Sequence, residues 1–501
     1  MPMDLRNYLD ILEREGMLFK VEKEVDWKLE AACIATMMNR VGEGRYALLF
    51  ENVKDYYPDK GRLVSCIFSP NRRRYWEKAS IALGLSRDVS YGDFRREFMK
   101  KIRNPIKPME ISKADAPCKE VIKMGKEVNL VDFPIPFIHS NDGGRYLTMN
   151  WVINQDPDTG WTNIGNYRWM VKDRRRGAAL WTMGQHGPTI HFLKHEMRGQ
   201  TCPVCIAVGG DPLGFLVSTA MVGAGVCEYD LLGGLRGEPL EVVRAETNNL
   251  LVPASAELVI EAELRPGERT DEGPFGEYTG FTHGRSISPI FRVNCVTYRK
   301  NPIIPFCVEG TKWYDGAGGS IYGMDFGWYE YVHDVMGIKG VNECHLTLDS
   351  AGGLLVTGLD PSYPGEVSKL AQTLFGFKAT VTTGTSWVIN DPDIDLTDNR
   401  DPLEEIALNF DPRTLKEFTS DQDTFVSPLF FYTDVENRFR GTDGAKFALD
   451  CTTKFKPWSY PRKAIFEKAY PSEIQKYVKK NFSKLGFDEP FDDKSEPIKP
   501  L

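Results

Sequence analysis

The sequence predicts an α+β protein: an N-terminal α/β module, a central antiparallel barrel or sandwich, and a C-terminal α/β domain that ends in one more helix. Three observations carry this. Apolar residues recur at helical spacing over 4–16 and 26–40, with strand-like runs between and after them. From 117 onward, short runs rich in β-branched and aromatic residues follow at close intervals, separated by Asp, Gly, Pro and Asn. After 328, helical and strand signals alternate again.

Leu5, Tyr8, Leu9 and Leu12 mark one face of the first helix; Leu29, Ala32, Cys33 and Met37 mark that of the second. MLFKVEKEV and YALLFENV are the accompanying strands, which makes residues 1–114 the first module. VDFPIPFI, RYLTMNWVINQ, GNYRWMVKD, AALWTM, PVCIAVGG, LEVVRAE, AELVIEAEL and FRVNCVTYRK then supply the strands of a domain over 115–310. Asp, Gly, Pro and Asn punctuate them, which is the pattern of an antiparallel barrel or sandwich rather than of βαβ units. Glycines cluster in YDGAGGSIYGMDFG, which reads as a hinge over 311–330. WYEYVHDVMG, ECHLTLDS, GGLLVTGL, PGEVSKLAQTLFG and SWVIND build the second α/β domain over 331–470. PSEIQKYVKKNF is an amphipathic helix that opens a charged, proline-containing end over 471–501.

Composition narrows the function classes. With 42% hydrophobic residues in 501, the chain can bury a substantial core, which excludes disorder as its overall state. A formal net charge of −8 argues against nucleic-acid binding, which needs a basic surface. No window holds 18 uninterrupted apolar residues, so no membrane insertion is expected. The opening stretch MPMDLRNYLDILEREG mixes acids with bases and lacks a signal-peptide core, so the expected location is the cytoplasm. The ten cysteines are scattered, and the pair Cys202 and Cys205 sits in a strand-like run without a second pair nearby. Buried, unreactive thiols are expected there rather than zinc.

Four constellations carry chemistry. Thr162 to Arg168 offers Asn163 and Asn166 as neutral oxygen ligands, and Arg168 as a fixed fork for phosphate or carboxylate. Gln185 and His186 precede His191 and His195; the latter two share a helix face, but no Glu stands between them, so the zinc-hydrolase pattern fails. They read as ordinary helix residues, and His186 is the better ligand. Glu228 lies ahead of a Gly-Gly-Leu-Arg-Gly run, and with Asn163 and His186 it makes a hard N/O set suited to manganese or magnesium. Finally, Glu272 and Glu277 flank a Gly-Pro-Phe-Gly turn whose backbone is restricted, so both acids can converge on one place. Paired carboxylates near an arginine suit general acid/base work, although a bland acidic surface turn fits the same residues.

In order along the chain, N-x-G-x-Y-R, Q-H, E-Y before G-G-L-R-G, and E-G-P-F-G-E resemble the UbiD family of decarboxylases. The likeness runs from LRNYLDILEREG through ETNNLLVPASAELVIEAEL to DCTTKFKPW. The resemblance implies a split β-barrel as cofactor domain, a C-terminal dimerisation domain, and a homodimer or higher homo-oligomer. It implies reversible, non-oxidative decarboxylation of an aromatic, heteroaromatic or α,β-unsaturated acid, with CO2 as co-product. The cofactors would be prenylated FMN, supplied by a flavin prenyltransferase, with Mn2+ or another divalent cation, and K+. By position, Asn163, His186 and Glu228 match the metal ligands that hold the cofactor phosphate. Asn166, Tyr167, Arg168, Leu180, Trp181, Thr182, Gln185 and His186 match the flavin lining. Val217, Ser218 and Ala220 match a backbone potassium site. Arg168, Glu272 and Glu277 match the catalytic set, with Arg168 holding the substrate carboxylate, Glu277 donating the proton and Glu272 tuning the pair. Trp313, Tyr314, Ser320, Ile321 and Tyr322, with Leu429, Phe430 and Phe431, would shape the substrate pocket; aromatic walls suit a flat ring. The rival readings are an ordinary FMN oxidoreductase, in which the Arg-Glu-Glu set has no evident role, and a subunit active only within a carboxylase assembly. CO2 release by the purified, cofactor-loaded chain separates them.

Overall fold

The computed structural model describes residues 3–41, 44–71, 74–181, 187, 191–220, 222–278, 280–310, 314–350, 353–376, 386–396, 400–420, 444–456, 464 and 469–485. The first helix, Leu5–Arg14, is capped by the Asp4 carboxylate, which accepts from the Asn7 amide, and it buries Leu5, Tyr8, Leu9 and Leu12. A second helix, Glu30–Val41, packs beside a sheet ordered Leu18–Val21, Ala47–Phe50, Arg62–Ser65, Ile303–Pro305. The last of these strands comes from the far end of the central segment. Glu257 helps to hold it: its fully buried carboxylate accepts from Arg6 Nε and Nη2, both at 2.8 Å, and from the Ile303 amide at 3.0 Å. A buried acid with this many donors is tolerated where a lone one would not be.

The central sheet is antiparallel and has nine strands among the described residues, in the order Arg145–Leu147, Trp169–Val171, Arg176–Ala179, Ser286–Tyr298, Leu258–Glu272, Cys202–Val208, Asn150–Gln155, Thr162–Gly165, with Val121–Met124 on Ser286–Tyr298. Its spine is the hairpin of the two longest strands, which ends on the pair Glu272 and Ser286. Register shifts between Glu261 and Ala262, and between Leu264 and Arg269, let the spine bend. The sheet curls into a half-barrel, and its concave end carries the acids described below. Cys202 and Cys205 are buried within it, and burial pushes the Cys202 thiol up to about 12.

The segment read as a glycine-rich hinge is a helix, Asp315–Tyr329. Its glycines serve close approach instead of bending. A Cβ on Gly318 would stand 2.0 Å from the Phe68 carbonyl oxygen, and one on Gly323 2.2 Å from that of Leu216. The fully buried Asp315 begins the helix and accepts from the amides of Cys66 and Phe68, which ties it to the N-terminal module. Tertiary packing here overrides the low helix propensity of glycine, which costs about 1 kcal/mol per residue. Beyond it lies a mixed sheet ordered Val341–Leu346, Leu354–Leu359, Ser386–Asn390, Gly444–Asp450, Lys416–Ser420. The final helix, Ser472–Asn481, leaves Ile474 51% and Tyr477 66% exposed. Among the described residues no helix is long and apolar enough to cross a membrane.

Candidate active site

Arg168 follows the strand Thr162–Gly165, where the chain crosses to its next strand. Its guanidinium is buried and meets acids from the turn that ends the central spine. Nε and Nη2 donate to the two oxygens of Glu272 at 2.9 and 2.7 Å, a bidentate fork, while Nη1 donates to Glu277 Oε1. Glu272 also accepts from Tyr146 Oη and from Ser286 Oγ, each at 3.0 Å. His283 Nδ1 accepts from Arg168 Nη2 at 3.1 Å, and the Phe275 ring lies 5.0 Å beneath the guanidinium. The turn reaches this shape because Gly273 has φ +81° and no room for a Cβ, which would lie 2.7 Å from the Gly284 carbonyl oxygen. Glu272 and Glu277, expected to converge on one place, therefore do so.

The two acids differ in their surroundings. Burial pushes the Glu272 carboxyl up, but the charge of Arg168 and the bonds from Arg168, Ser286 and Tyr146 outweigh it and hold the group below the usual carboxylate range. Burial likewise works against the Arg168 charge, and Glu272 and Glu277 overcome it, so its pKa is raised. Glu277 has a different neighbour. The carboxyl of Glu309 lies beside it, and burial, followed by the charge of Glu277, raises the Glu309 pKa well above its ordinary value.

A second cluster forms around Glu228. Glu228 opens the helix Glu228–Arg236 and is buried; its Oε1 accepts from Asn163 Nδ2 at 2.8 Å and its Oε2 from the Ile164 amide at 2.9 Å. Asn163 Oδ1 is buried with no hydrogen-bond partner among the described residues. An orphaned amide oxygen beside a carboxylate is the arrangement a hard cation completes. The third expected ligand, His186, lies outside the described residues, as do Thr182, Gln185, Trp313, Leu429, Phe430 and Phe431. Among the described residues, no group of His, Cys, Asp and Glu by itself could hold a metal.

Of the expected flavin-lining residues, Tyr167 is buried and its hydroxyl bonds to the Gly187 backbone, with the acid raised by burial. Asn166 is half-buried, its amide donating to the Ser218 carbonyl at 3.1 Å and its Oδ1 accepting from the Asn150 amide at 3.2 Å. Leu180 and Trp181 are half-buried, and the Trp181 ring sits edge-on to Phe291 at 5.2 Å. Val217, Ser218 and Ala220 lie at the carboxyl end of the short helix Leu213–Ser218; the Val217 carbonyl accepts from the Ala220 amide at 3.0 Å. A helix C-terminus presents carbonyl oxygens to a cation. His191, expected to be an ordinary helix residue, is fully buried with Nδ1 2.8 Å from Asn154 Oδ1, and burial lowers its pKa to about 4.

The pocket expectation fails at Tyr322. Its hydroxyl donates to the Tyr75 carbonyl at 3.0 Å and its ring meets Phe94 edge-on at 5.0 Å, so it packs into the N-terminal module. Helical spacing explains this: Asp315, Gly318 and Tyr322 lie on one face, and that face is taken by the module. Ile321 is buried in the same core, and Ser320 turns its hydroxyl back to the Gly316 carbonyl. Tyr314 is buried near Glu309 and Glu277, whose charges help burial to raise its pKa. Sequence reasoning missed Tyr146, His283, Ser286 and Glu309. His283 and Ser286 follow the turn on its return side, where alternation could have found them once the hairpin was drawn; Tyr146 comes from the edge strand Arg145–Leu147, and no local signal marked Glu309.

Models of the 3-octaprenyl-4-hydroxybenzoate carboxy-lyase family match its N-terminal domain at residues 9–97, its Rift-related domain at 109–312 and its C-terminal domain at 329–451. A pyrrole-2-carboxylic acid decarboxylase from Pseudomonas aeruginosa is 29% identical over 511 aligned positions, 97% of this chain and 98% of that protein. The vanillic acid decarboxylase of Sedimentibacter hydroxybenzoicus, in closed form, shares the fold with a TM-score of 0.85 at 24% identity, covering 97% of this chain and 100% of that one. An evolved dimeric form of the UbiD-class enzyme HmfF from Pelotomaculum thermopropionicum, in complex with prenylated FMN, superposes with a TM-score of 0.76 at 25% identity over 94% of this chain and 100% of that one. Matched from its first helix to Cys451 by all three domains, and carrying the buried arginine between two turn carboxylates, this chain is a carboxy-lyase of the UbiD family.

Proposed function

We propose that this enzyme decarboxylates an aromatic or heteroaromatic carboxylic acid, reversibly and without net oxidation, using prenylated FMN. The observation that carries the reading is the buried Arg168, shared between Glu272 and Glu277. The names of the similar proteins, a pyrrole-2-carboxylic acid and a vanillic acid decarboxylase, support an aromatic acid as substrate. Prenylated FMN, when bound, supplies the electron sink for the bond that breaks. Asn163, His186 and Glu228 would hold a divalent cation, manganese by the hardness of the set, which anchors the cofactor phosphate. The carbonyls of Val217, Ser218 and Ala220 would take K+. The chain would draw its cofactor from a flavin prenyltransferase in the cytoplasm.

The residues then divide the work. With Glu272 ionised and Glu277 protonated, the three-residue network is neutral, so an incoming carboxylate meets no net repulsion. Arg168 turns an N–H to that carboxylate and holds it while the bond to the ring is stretched. CO2 leaves as a neutral molecule, and the Glu277 O–H breaks as its proton goes to the ring carbon. Glu272, bonded on both oxygens, stays ionised and keeps the guanidinium in plane. A panel of monocyclic, bicyclic, heteroaromatic and acrylic acids, assayed for CO2 release and for deuterium exchange on cofactor-loaded enzyme, tests the reading. Activity on at least one aromatic acid is expected; silence across the panel overturns it.

The chain would act as a homodimer or a multiple of it through its C-terminal domain. The exposed Ile474 and Tyr477 on the final helix support this, since a partner would remove apolar surface worth about 25 cal/mol per Å2. Light scattering at micromolar protein should give at least twice the chain mass, and a clean monomer refutes it.

A further inference from the structure

Glu309 lies beyond the strand Ile303–Pro305 and takes no part in the reaction as derived above. The chain at Gly310 packs on that at Glu277, where a Cβ on Gly310 would stand 3.5 Å from the Glu277 carbonyl oxygen, and the Glu309 carboxyl comes within hydrogen-bonding reach of that of Glu277. Two carboxylates can only accept, so such a bond requires a proton on one of them. The backbone around the pair is held tightly. His139 Nε2 donates to the Glu309 carbonyl at 3.0 Å, and the His139 amide donates to Asp142 Oδ2 at 2.8 Å. Asp142 Oδ1 accepts from the Gly276 amide at 3.0 Å, one residue before Glu277. A single His–Asp unit thus anchors both acids in register. The other groups facing Glu309 are the Cys307 thiol, which donates to Oε1 at 3.7 Å, the more distant guanidinium of Arg168, and the Tyr278 and Tyr314 hydroxyls. Among the cations, Arg168 engages Glu272 and Glu277, and among the described residues no salt bridge reaches Glu309. Glu309 itself is half-buried, and its neighbour Gly310 is exposed.

We propose that Glu309, acting through Glu277, resupplies the proton that each decarboxylation consumes. This rests on the reading of Glu277 as donor. The Glu309 O–H breaks as a new O–H forms on Glu277, Glu277 gives that proton to the ring carbon, and Glu309 takes one proton from water. The sum is one substrate carboxylate and one solvent proton converted to CO2 and a C–H bond. In the carboxylating direction the same pair exports the proton.

Glu309→Gln keeps shape and hydrogen bonding but cannot pass a proton. In cofactor-loaded enzyme, with an acid found active in the panel, kcat should fall about tenfold to a hundredfold, below the loss typical of removing the donor itself. KM should stay within about twofold, and the alkaline limb of the pH profile should move toward acid. Glu309→Asp should recover part of the rate. A second readout needs no turnover: infrared spectra of the cofactor-free protein at neutral pH should contain a protonated-carboxyl band that Glu309→Gln removes. Stability gives a third. The unfolded Glu309 ionises in the ordinary range while the folded one stays protonated, so its favourable contribution is complete at low pH and fades as pH rises. Glu309→Gln should therefore gain melting temperature relative to wild type as pH rises above the ordinary carboxylate range. A wild-type pH profile in Glu309→Gln, or survival of the infrared band, overturns the proposal. If wild type releases no CO2 from any acid, the function reading falls, while the infrared and melting experiments still decide whether the acid pair holds its proton.

Discussion

Glu277→Gln should lose decarboxylation by about two to four orders of magnitude, the usual consequence of removing a general acid. The amide fills the same space and still accepts from Arg168, so cofactor content and substrate affinity should stay near wild type. Exchange of the product's ring hydrogen with deuterated water should vanish together with CO2 release, because both use the same proton. Glu272→Gln should also lose activity, for another reason. Its carboxylate accepts from Arg168 twice and from Tyr146 and Ser286 once each, and an amide nitrogen can accept none of these. That variant leaves a buried guanidinium half-paired, a loss of about 3–5 kcal/mol in comparable buried pairs, so its melting temperature should drop where that of Glu277→Gln does not. Wild-type exchange in Glu277→Gln would assign the proton to another group.

Glu228→Ala should purify with little bound flavin under conditions in which wild type retains it. The carboxylate holds Asn163 and the Ile164 amide in place, and its removal takes away both the charge a cation needs and the geometry of the neighbouring ligand. Losing even a partner that orients a metal ligand commonly costs about 10–100-fold in affinity, which is enough to strip a phosphate-anchored cofactor during purification. Flavin absorbance per protein and metal content should fall in parallel. If Glu228→Ala and His186→Ala both keep full flavin occupancy, the metal assignment is wrong.

Much of the site was legible before any fold was drawn. Glu272 and Glu277 are close in sequence, and the glycine and proline between them restrict the turn enough that convergence follows from local geometry. Arg168, Asn163 and Glu228 could be grouped with them only through the ordered motifs, since nothing local says that strands this far apart share one sheet. Glu309 escaped because its chemistry depends on a neighbour, not on its own flanking residues. Tyr322 was assigned to the pocket on bulk and position, yet the face of its helix belongs to the N-terminal module.

By itself the sequence determined what short-range physics controls: the first two helices from their apolar spacing, the antiparallel character of the centre from its β-rich runs and turns, and the rigid acidic turn. Tertiary structure alone decided what depends on distant partners. It placed Ile303–Pro305 in the N-terminal sheet, made a helix of the glycine-rich Asp315–Tyr329, and set Glu309 against Glu277. In each case the deciding energy comes from burial and hydrogen bonds between segments far apart in the chain, which outweigh local preferences of about 1 kcal/mol per residue and leave no local periodicity to be read.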